Sequence, residues 1–179
     1  RDLFVTKSRL GDDGFGALVG CMRQGALCRL EMLDLSGEPW RKCGVSDGSF
    51  LPFATALADG EIKLLDLTEL RMQDCSLGDE GVCALALALS RGNLPKLTCL
   101  YLMGNAELTD VCAYALAAAI QKRKRMPMIR DIRLGYTKVS VDGKAAIEGA
   151  AKGKCTVCEV QLSILGGLEV GSAAAPPPS

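Results

Sequence analysis

The sequence predicts an α/β solenoid, with a curved parallel β-sheet on a concave inner face and α-helices on a convex outer face. Three observations predict this class. A strand motif recurs about every thirty residues, an apolar pattern of helical period follows each copy, and residues typical of helix N-termini separate the two. Because such units bury their apolar faces only against one another, we expect about five to six stacked repeats.

The strand motif is clearest in the middle of the chain, where Leu67, Leu70 and Met72 lead to Cys75 and Leu77. The same spacing recurs at 97–108, with one extra residue, and at 129–139. An earlier copy begins at 30–35 and is interrupted by an insertion around residues 39–44. Partial copies at 3–10 and 155–160 bring the expected strands to about six.

A helix is predicted after each strand. Apolar residues four positions apart share one helical face in each copy. These are Leu18 and Met22, Phe53 and Leu57, Leu85 and Leu89, Leu116 and Ile120, and Ile147 and Ala151. The expected N-caps are Gly11, Ser46, Gly78, Thr109 and Ser140, and glycines at 25, 60, 92 and 153 mark the helix ends.

Acidic residues follow the predicted N-caps at a constant phase, among them the pairs Asp12 with Asp13 and Asp79 with Glu80. Negative charge in the first turn complements the helix dipole. Because the pairs recur in successive repeats, we interpret them as solvent-facing helix starters rather than as a general acid and base.

Residues 77–89, which begin Leu77-Gly78-Asp79-Glu80-Gly81, resemble leucine-rich repeat proteins of the ribonuclease-inhibitor type. The unit of that family is Leu-x-x-Leu-x-Leu-x-x-Asn/Cys-x-Leu, then a Gly-acidic-acidic-Gly turn and an alanine- and leucine-rich helix. The resemblance covers residues 3–162 and implies the fold, whereas the same architecture serves unrelated functions. Glu38 and Thr137 stand where the family has asparagine or cysteine, so differently built turns are expected there.

Three segments are predicted along the chain. Residues 1–162 form the leucine-rich-repeat domain, whose first repeat is truncated, and residues 163–170 form an apolar C-terminal cap. Residues 171–179 are rich in alanine and proline and are expected to be a disordered tail.

Composition excludes several classes of chemistry. The chain has no histidine, which removes histidine-based nucleophile pairs and imidazole metal sites. Its 21 basic residues balance 21 acidic ones, so no global field attracts nucleic acid or a membrane surface. Nine cysteines, an odd number, without a signal-peptide pattern favour a reducing, cytoplasmic location, with cytoskeletal or flagellar association also open. We expect no enzyme activity, cofactor, metal or membrane span.

Two local motifs have simple structural interpretations. Cys155 and Cys158 occupy the first two leucine positions of the last motif and are expected in the core, although their spacing also fits half a zinc site. The basic run from Lys122 to Arg125 follows a predicted helix, where cations are favoured. Because no aromatic residues are interleaved with the run and the net charge is zero, nucleic-acid binding there is disfavoured, and contact with an acidic partner is the alternative. Cys99, on the concave face, is a candidate reactive thiol.

The candidate binding site is the concave face, because strand residues alternate between the core and this surface. Tyrosine, arginine and methionine, which are enriched at protein interfaces, gather there in the middle repeats. The predicted contact residues are Asp34, Glu69, Arg71, Gln73, Tyr101, Met103, Arg133, Tyr136 and Glu159. In the alternative interpretation, Arg71 merely pairs with Glu69 or Asp34, and Arg133 with Asp131.

The favoured function is a non-enzymatic interaction module or assembly scaffold that binds a protein partner, or a neighbouring subunit, through its concave face. Regulation of a small GTPase is an alternative, since the Ran GTPase-activating proteins are built from this type of repeat. A ribonuclease-inhibitor-like activity is a further alternative, although about six strands make a shorter arc than that inhibitor has.

Overall fold

The computed structural model describes residues 1–6, 10–38, 40, 42–122 and 129–151. In these residues five short strands alternate with five helices. The strands are β1 (Asp2–Phe4), β2 (Met32–Asp34), β3 (Glu69–Arg71), β4 (Cys99–Tyr101) and β5 (Asp131–Arg133). The helices are α1 (Gly11–Arg23), α2 (Asp47–Asp59), α3 (Asp79–Arg91), α4 (Asp110–Lys122) and α5 (Val141–Ala151).

The strands form one parallel sheet in chain order, and each strand pairs with the next without a shift in register. Each helix packs on the helix that follows it. Parallel strands lie about 4.8 Å apart while packed helices need about 8 to 10 Å, so the sheet takes the inside of the arc. The predicted α/β leucine-rich-repeat solenoid is therefore confirmed.

The core lies between the sheet and the helices. The central residue of each strand points into it, and these residues are buried completely in β2 to β5: Leu33, Leu70, Leu100 and Ile132. The predicted helix positions face them, with Phe53, Leu85, Leu116 and Ile147 fully buried and Leu18 partly buried. Gly60 and Gly92 cap α2 and α3 in the left-handed conformation, as the glycine pattern predicts.

The first turn of each of the helices α1 to α4 binds the beginning of the next helix through an aspartate carboxylate. Asp79 of α3 accepts hydrogen bonds from the backbone N–H of Thr109 at 2.9 Å and from its hydroxyl. The same arrangement joins Asp110 to Ser140 and Asp12 to Ser46. We call these contacts the carboxylate links.

The link from α2 to α3 uses backbone groups alone. Asp47 accepts hydrogen bonds from the N–H groups of Gly78 at 2.9 Å and of Gly81 at 3.1 Å. A Cβ atom at Gly81 would overlap the Asp47 carboxylate, and one at Gly143 would overlap that of Asp110. The second glycine of the Gly-Asp-Glu-Gly turn thus leaves room for the aspartate of the preceding repeat.

These contacts correct the interpretation of the acidic pairs. N–H groups in the first turn of a helix lack partners within it, and the caps of α2 and α3 make no side-chain hydrogen bond of their own. The carboxylate of the preceding repeat supplies the missing acceptor. Asp12 and Asp79 are therefore inter-repeat caps, whereas Glu80 is exposed at the surface.

Asn105 joins the third and fourth repeats inside the core, where it is completely buried. Its amide nitrogen donates to the carbonyls of Met72 at 2.8 Å and Leu102 at 2.9 Å, and its oxygen accepts the N–H of Leu77 at 3.1 Å. Because a buried polar group without a partner is costly, one side chain here satisfies backbone groups of two turns.

The same turn position in the second repeat is held by Cys43, and the assignment to Glu38 is wrong. Val45 N–H donates to the Cys43 sulfur at 3.3 Å, just as Val139 N–H donates to the Thr137 hydroxyl at 3.3 Å. The insertion adds residues between the strand and this turn. The spacing of the other repeats, counted from the strand motif, therefore ends at Glu38 instead of at Cys43. The N-cap of α1 is also corrected, from Gly11 to Leu10.

Several predictions fall on residues outside the described part of the chain. These are the sixth strand motif with Cys155, Cys158 and Glu159, the cap at 163–170, the tail at 171–179 and the basic residues 123–125. Lys122 is the last residue of α4 and is exposed.

We predict that Asp79→Ala lowers the free energy of unfolding by about 1 to 2 kcal/mol, because it leaves the start of α4 without its acceptor. The matched variant Glu80→Ala, also in the first turn of α3, should change it by less than about 0.5 kcal/mol. Urea denaturation measures both values. Equal losses of stability in the two variants would show that both residues act only through the dipole of their own helix, and not through a hydrogen bond to the next one.

Acidification should weaken the carboxylate links. Hydrogen bonds from Ser49 and Ser46 hold the pKa of Asp12 below its usual 3.8. Burial raises the pKa of Asp79, but hydrogen bonds from Thr109 and Cys112 outweigh it, and the pKa of that carboxyl is also lowered from 3.8. Since both pKa values are lower in the folded state, the stabilisation is complete above the unfolded value and is lost as pH falls through the folded values.

We therefore expect the free energy of unfolding to fall as pH drops below about 4. Urea denaturation at successive pH values measures this decline. Asp79→Asn should flatten the decline because its side chain no longer titrates in that range. An equally steep decline in Asp79→Asn would contradict the assignment to Asp79.

Candidate protein-binding face

The residues on either side of each buried strand centre point to the concave face, and the register aligns them in two rows. One row is Asp2, Met32, Glu69, Cys99 and Asp131, and the other is Phe4, Asp34, Arg71, Tyr101 and Arg133. The predicted strand residues of the site therefore lie together on adjacent strands.

Tyr101 lies between two arginines at the centre of this surface. The guanidinium carbon of Arg133 is 4.7 Å from the centre of the tyrosine ring, and that of Arg71 is 5.3 Å from it. Both distances are within the range of cation–π attraction. Because Arg71 and Arg133 belong to strands on opposite sides of β4, they flank the ring from the two sides. We call these three residues the Arg–Tyr–Arg row.

Carboxylates hold both arginines in place. Arg71 Nε donates to Glu69 at 2.6 Å, and its Nη1 lies 3.7 Å from Asp34. Arg133 Nε donates to Asp131 at 3.1 Å. The pairs that the alternative interpretation predicted are thus present, and they fix the guanidinium groups around Tyr101.

The acidic side chains lie beneath the basic ones. The side chains of Asp34, Glu69 and Asp131 are 7%, 16% and 17% exposed, compared with 35% for Arg71 and 37% for Arg133. Asp34 also accepts the backbone N–H of Ser36 at 3.0 Å. Asp34 therefore lies below the surface, and the two arginines are more exposed than the carboxylates that hold them.

The electrostatics of the row follow from this layering. Burial lowers the pKa of Arg71, but its contacts with Glu69 and Asp34 outweigh this effect and leave the pKa raised. The hydrogen bond to Asp131 raises the pKa of Arg133. Burial and the nearby Asp131 carboxylate raise the pKa of Tyr101, which keeps its hydroxyl protonated.

The remaining predicted residues lie where the strands end. Gln73 and Met103 are half-buried, and Tyr136 is 51% exposed. Tyr136 has a φ of 59°, in the left-handed region, at the position that Gly104 occupies in the preceding repeat with a φ of 74°. A tyrosine in this conformation costs on the order of 1 kcal/mol relative to glycine, and its exposed ring makes it available for binding.

Two exposed aromatic residues were absent from the predicted site. Phe4 continues the row of Arg71 on the first strand and is 58% exposed. Trp40 lies in the insertion that follows β2 and is 81% exposed. Its sequence signal was a tryptophan among polar residues, which the repeat pattern does not explain. Cys99, the candidate reactive thiol, is half-buried between the strands that carry Glu69 and Asp131.

We predict that Tyr101→Ala lowers the free energy of unfolding by about 1 to 2 kcal/mol, because it removes both cation–π contacts. Tyr101→Phe keeps the ring between the two arginines and should stay within about 0.5 kcal/mol of the wild type. Thermal and urea denaturation compare them. A loss as large in Tyr101→Phe would indicate that the hydroxyl, rather than the ring, stabilises the row.

In the described residues no group of three or more potential ligands is arranged to hold a metal ion. No helix in the same residues is long and apolar enough to cross a membrane.

Comparison with known proteins addresses the repeat directly. A family model described as Leucine Rich repeat matches residues 64–86 and 93–117, which correspond to the third and fourth repeats of the structure. No curated protein matches the chain. These two matches support the interpretation of the chain as a leucine-rich repeat protein, and so does the alternation of helices with the strands of one parallel sheet.

Proposed function

We propose that this chain is a non-enzymatic protein-binding module that holds its partner on the concave face. Leucine-rich repeat domains generally mediate protein–protein interaction. The observation that carries the proposal is the Arg–Tyr–Arg row, which places two guanidinium groups and an aromatic ring side by side on an open sheet surface. Arginine and tyrosine dominate the binding energy of many protein interfaces.

The internal ion pairs support this proposal rather than compete with it. Fixing a long side chain on binding costs about 0.5 to 1.5 kcal/mol of conformational free energy. Arg71 and Arg133 are already held by Glu69 and Asp131. Much of this conformational cost therefore arises during folding and not on binding. Each guanidinium has more N–H donors than these contacts use, and an incoming carbonyl or carboxylate can accept the remainder.

The charge pattern favours a protein over a nucleic acid. The Asp34 carboxylate shares a row with the two arginines, and the carboxylates of Glu69 and Asp131 lie in the adjacent row. Both arginines are already paired with these carboxylates, whereas nucleic-acid sites usually present a continuous basic surface. A protein surface with separate acidic, polar and apolar groups would match this mixture of basic, acidic and aromatic side chains.

Affinity capture from a lysate of the source cells tests the proposal, with the wild-type chain compared with an Arg71→Ala, Tyr101→Ala, Arg133→Ala variant. The matched control replaces Arg23, Arg91 and Tyr114 with alanine, which removes the same residue types from helices on the convex side. Mass spectrometry identifies the captured proteins, and a thermal melt verifies that each variant is folded.

We expect one set of proteins to be captured by the wild type and by the control and lost with the concave variant. A single recombinant partner from that set should then bind the concave variant at least ten-fold more weakly, which corresponds to about 1.4 kcal/mol. Equal capture by the folded concave variant, or loss with the control alone, would place the binding surface elsewhere.

A further inference from the structure

Two buried cysteines from different repeats meet at the turn after the second and third strands. The sulfur atoms of Cys43 and Cys75 are 2.8 Å apart, closer than two unbonded sulfur atoms ordinarily approach. Their residues are 2% and 0% exposed. The next two repeats place Asn105 and Thr137 at the same turn position, so the facing thiols occur where the chain elsewhere uses oxygen and nitrogen.

The pair joins the insertion to the third repeat. Cys43 lies near the end of the insertion that contains Trp40, and Cys75 belongs to the turn after β3. The Cys75 sulfur also lies 3.7 Å from the Leu35 carbonyl and 3.5 Å from the Gln73 carbonyl, which are weak contacts. A covalent bond here would attach the insertion to the neighbouring repeat without displacing a strong hydrogen bond.

We propose that Cys43 and Cys75 form an oxidisable dithiol, which a peroxide converts into an intramolecular disulfide that ties the insertion to the third repeat. The Cys43 thiolate attacks one peroxide oxygen, giving a sulfenic acid and hydroxide. The Cys75 sulfur then attacks the Cys43 sulfur and forms the S–S bond, and the sulfenic oxygen leaves as water with the Cys75 proton. In total, two thiols and one hydrogen peroxide give one disulfide and two waters.

The surroundings of Cys43 favour it as the attacking group. A hydrogen bond with Cys75 lowers the pKa of Cys43, and the same contact together with burial raises the pKa of Cys75. The residues on either side of Cys43, Lys42 and Gly44, are exposed. Gly44 has a φ of 82°, a conformation that glycine adopts freely. The Cys43 sulfur therefore lies beneath an exposed stretch of backbone, which is the side from which peroxide would approach.

Oxidation of the folded full chain by hydrogen peroxide tests the proposal. Remaining thiols are blocked with N-ethylmaleimide, and unreduced peptides are mapped by mass spectrometry. We expect a linked peptide pair that contains Cys43 and Cys75, and its loss after treatment with dithiothreitol. The bond closes a loop of about thirty residues, so the thermal midpoint of the oxidised chain should rise by on the order of 5 to 10 °C.

Cys43→Ser should abolish both the linked peptide and the rise in thermal midpoint, whereas Cys83→Ser, a half-buried cysteine on α3, should retain them. The linkage is read in the wild type, so the test holds even if Cys43→Ser folds poorly. Linkage of either residue to a different cysteine, or recovery of Cys43 and Cys75 as separately blocked or over-oxidised thiols, would overturn the proposal.

Discussion

The carboxylate of one repeat completes the helix of the next. Four times in the described part of the chain, an aspartate in the first turn of a helix accepts hydrogen bonds at the start of the following helix. The N–H groups in question have no partner inside their own helix. Each repeat therefore supplies the hydrogen-bond acceptor for N–H groups at the start of the next helix. The stacking of the repeats and the formation of their helices are coupled for this reason.

This constraint extends to the sheet and to the binding surface. Linked helix starts fix the offset between successive repeats, and the five strands pair without any shift in register. Only that register aligns Arg71, Tyr101 and Arg133 across three strands. A shift by one residue would turn the tyrosine into the core and leave the arginines with nothing between them. The geometry of the concave face is thus a consequence of how the repeats are joined.

The sequence predicts every described strand and helix because their signal is local and periodic. It also brings the strand residues of the binding face together, since alternation along a strand decides which side chains share a surface. The carboxylate links were missed because they join residues about thirty positions apart, and Asp79 and Glu80 look equivalent within one turn. Cys43 was missed for a related reason, because the insertion displaced the count to Glu38.

Native-state hydrogen exchange on Asp79→Ala tests most directly whether each repeat completes the next. We expect faster exchange at the amides of Thr109 and Cys112 in the following repeat, with the amide of Gly81 unchanged because Asp47 still binds it. Faster exchange at Gly81 in the helix that carries the substitution, with Thr109 and Cys112 unchanged, would contradict this account.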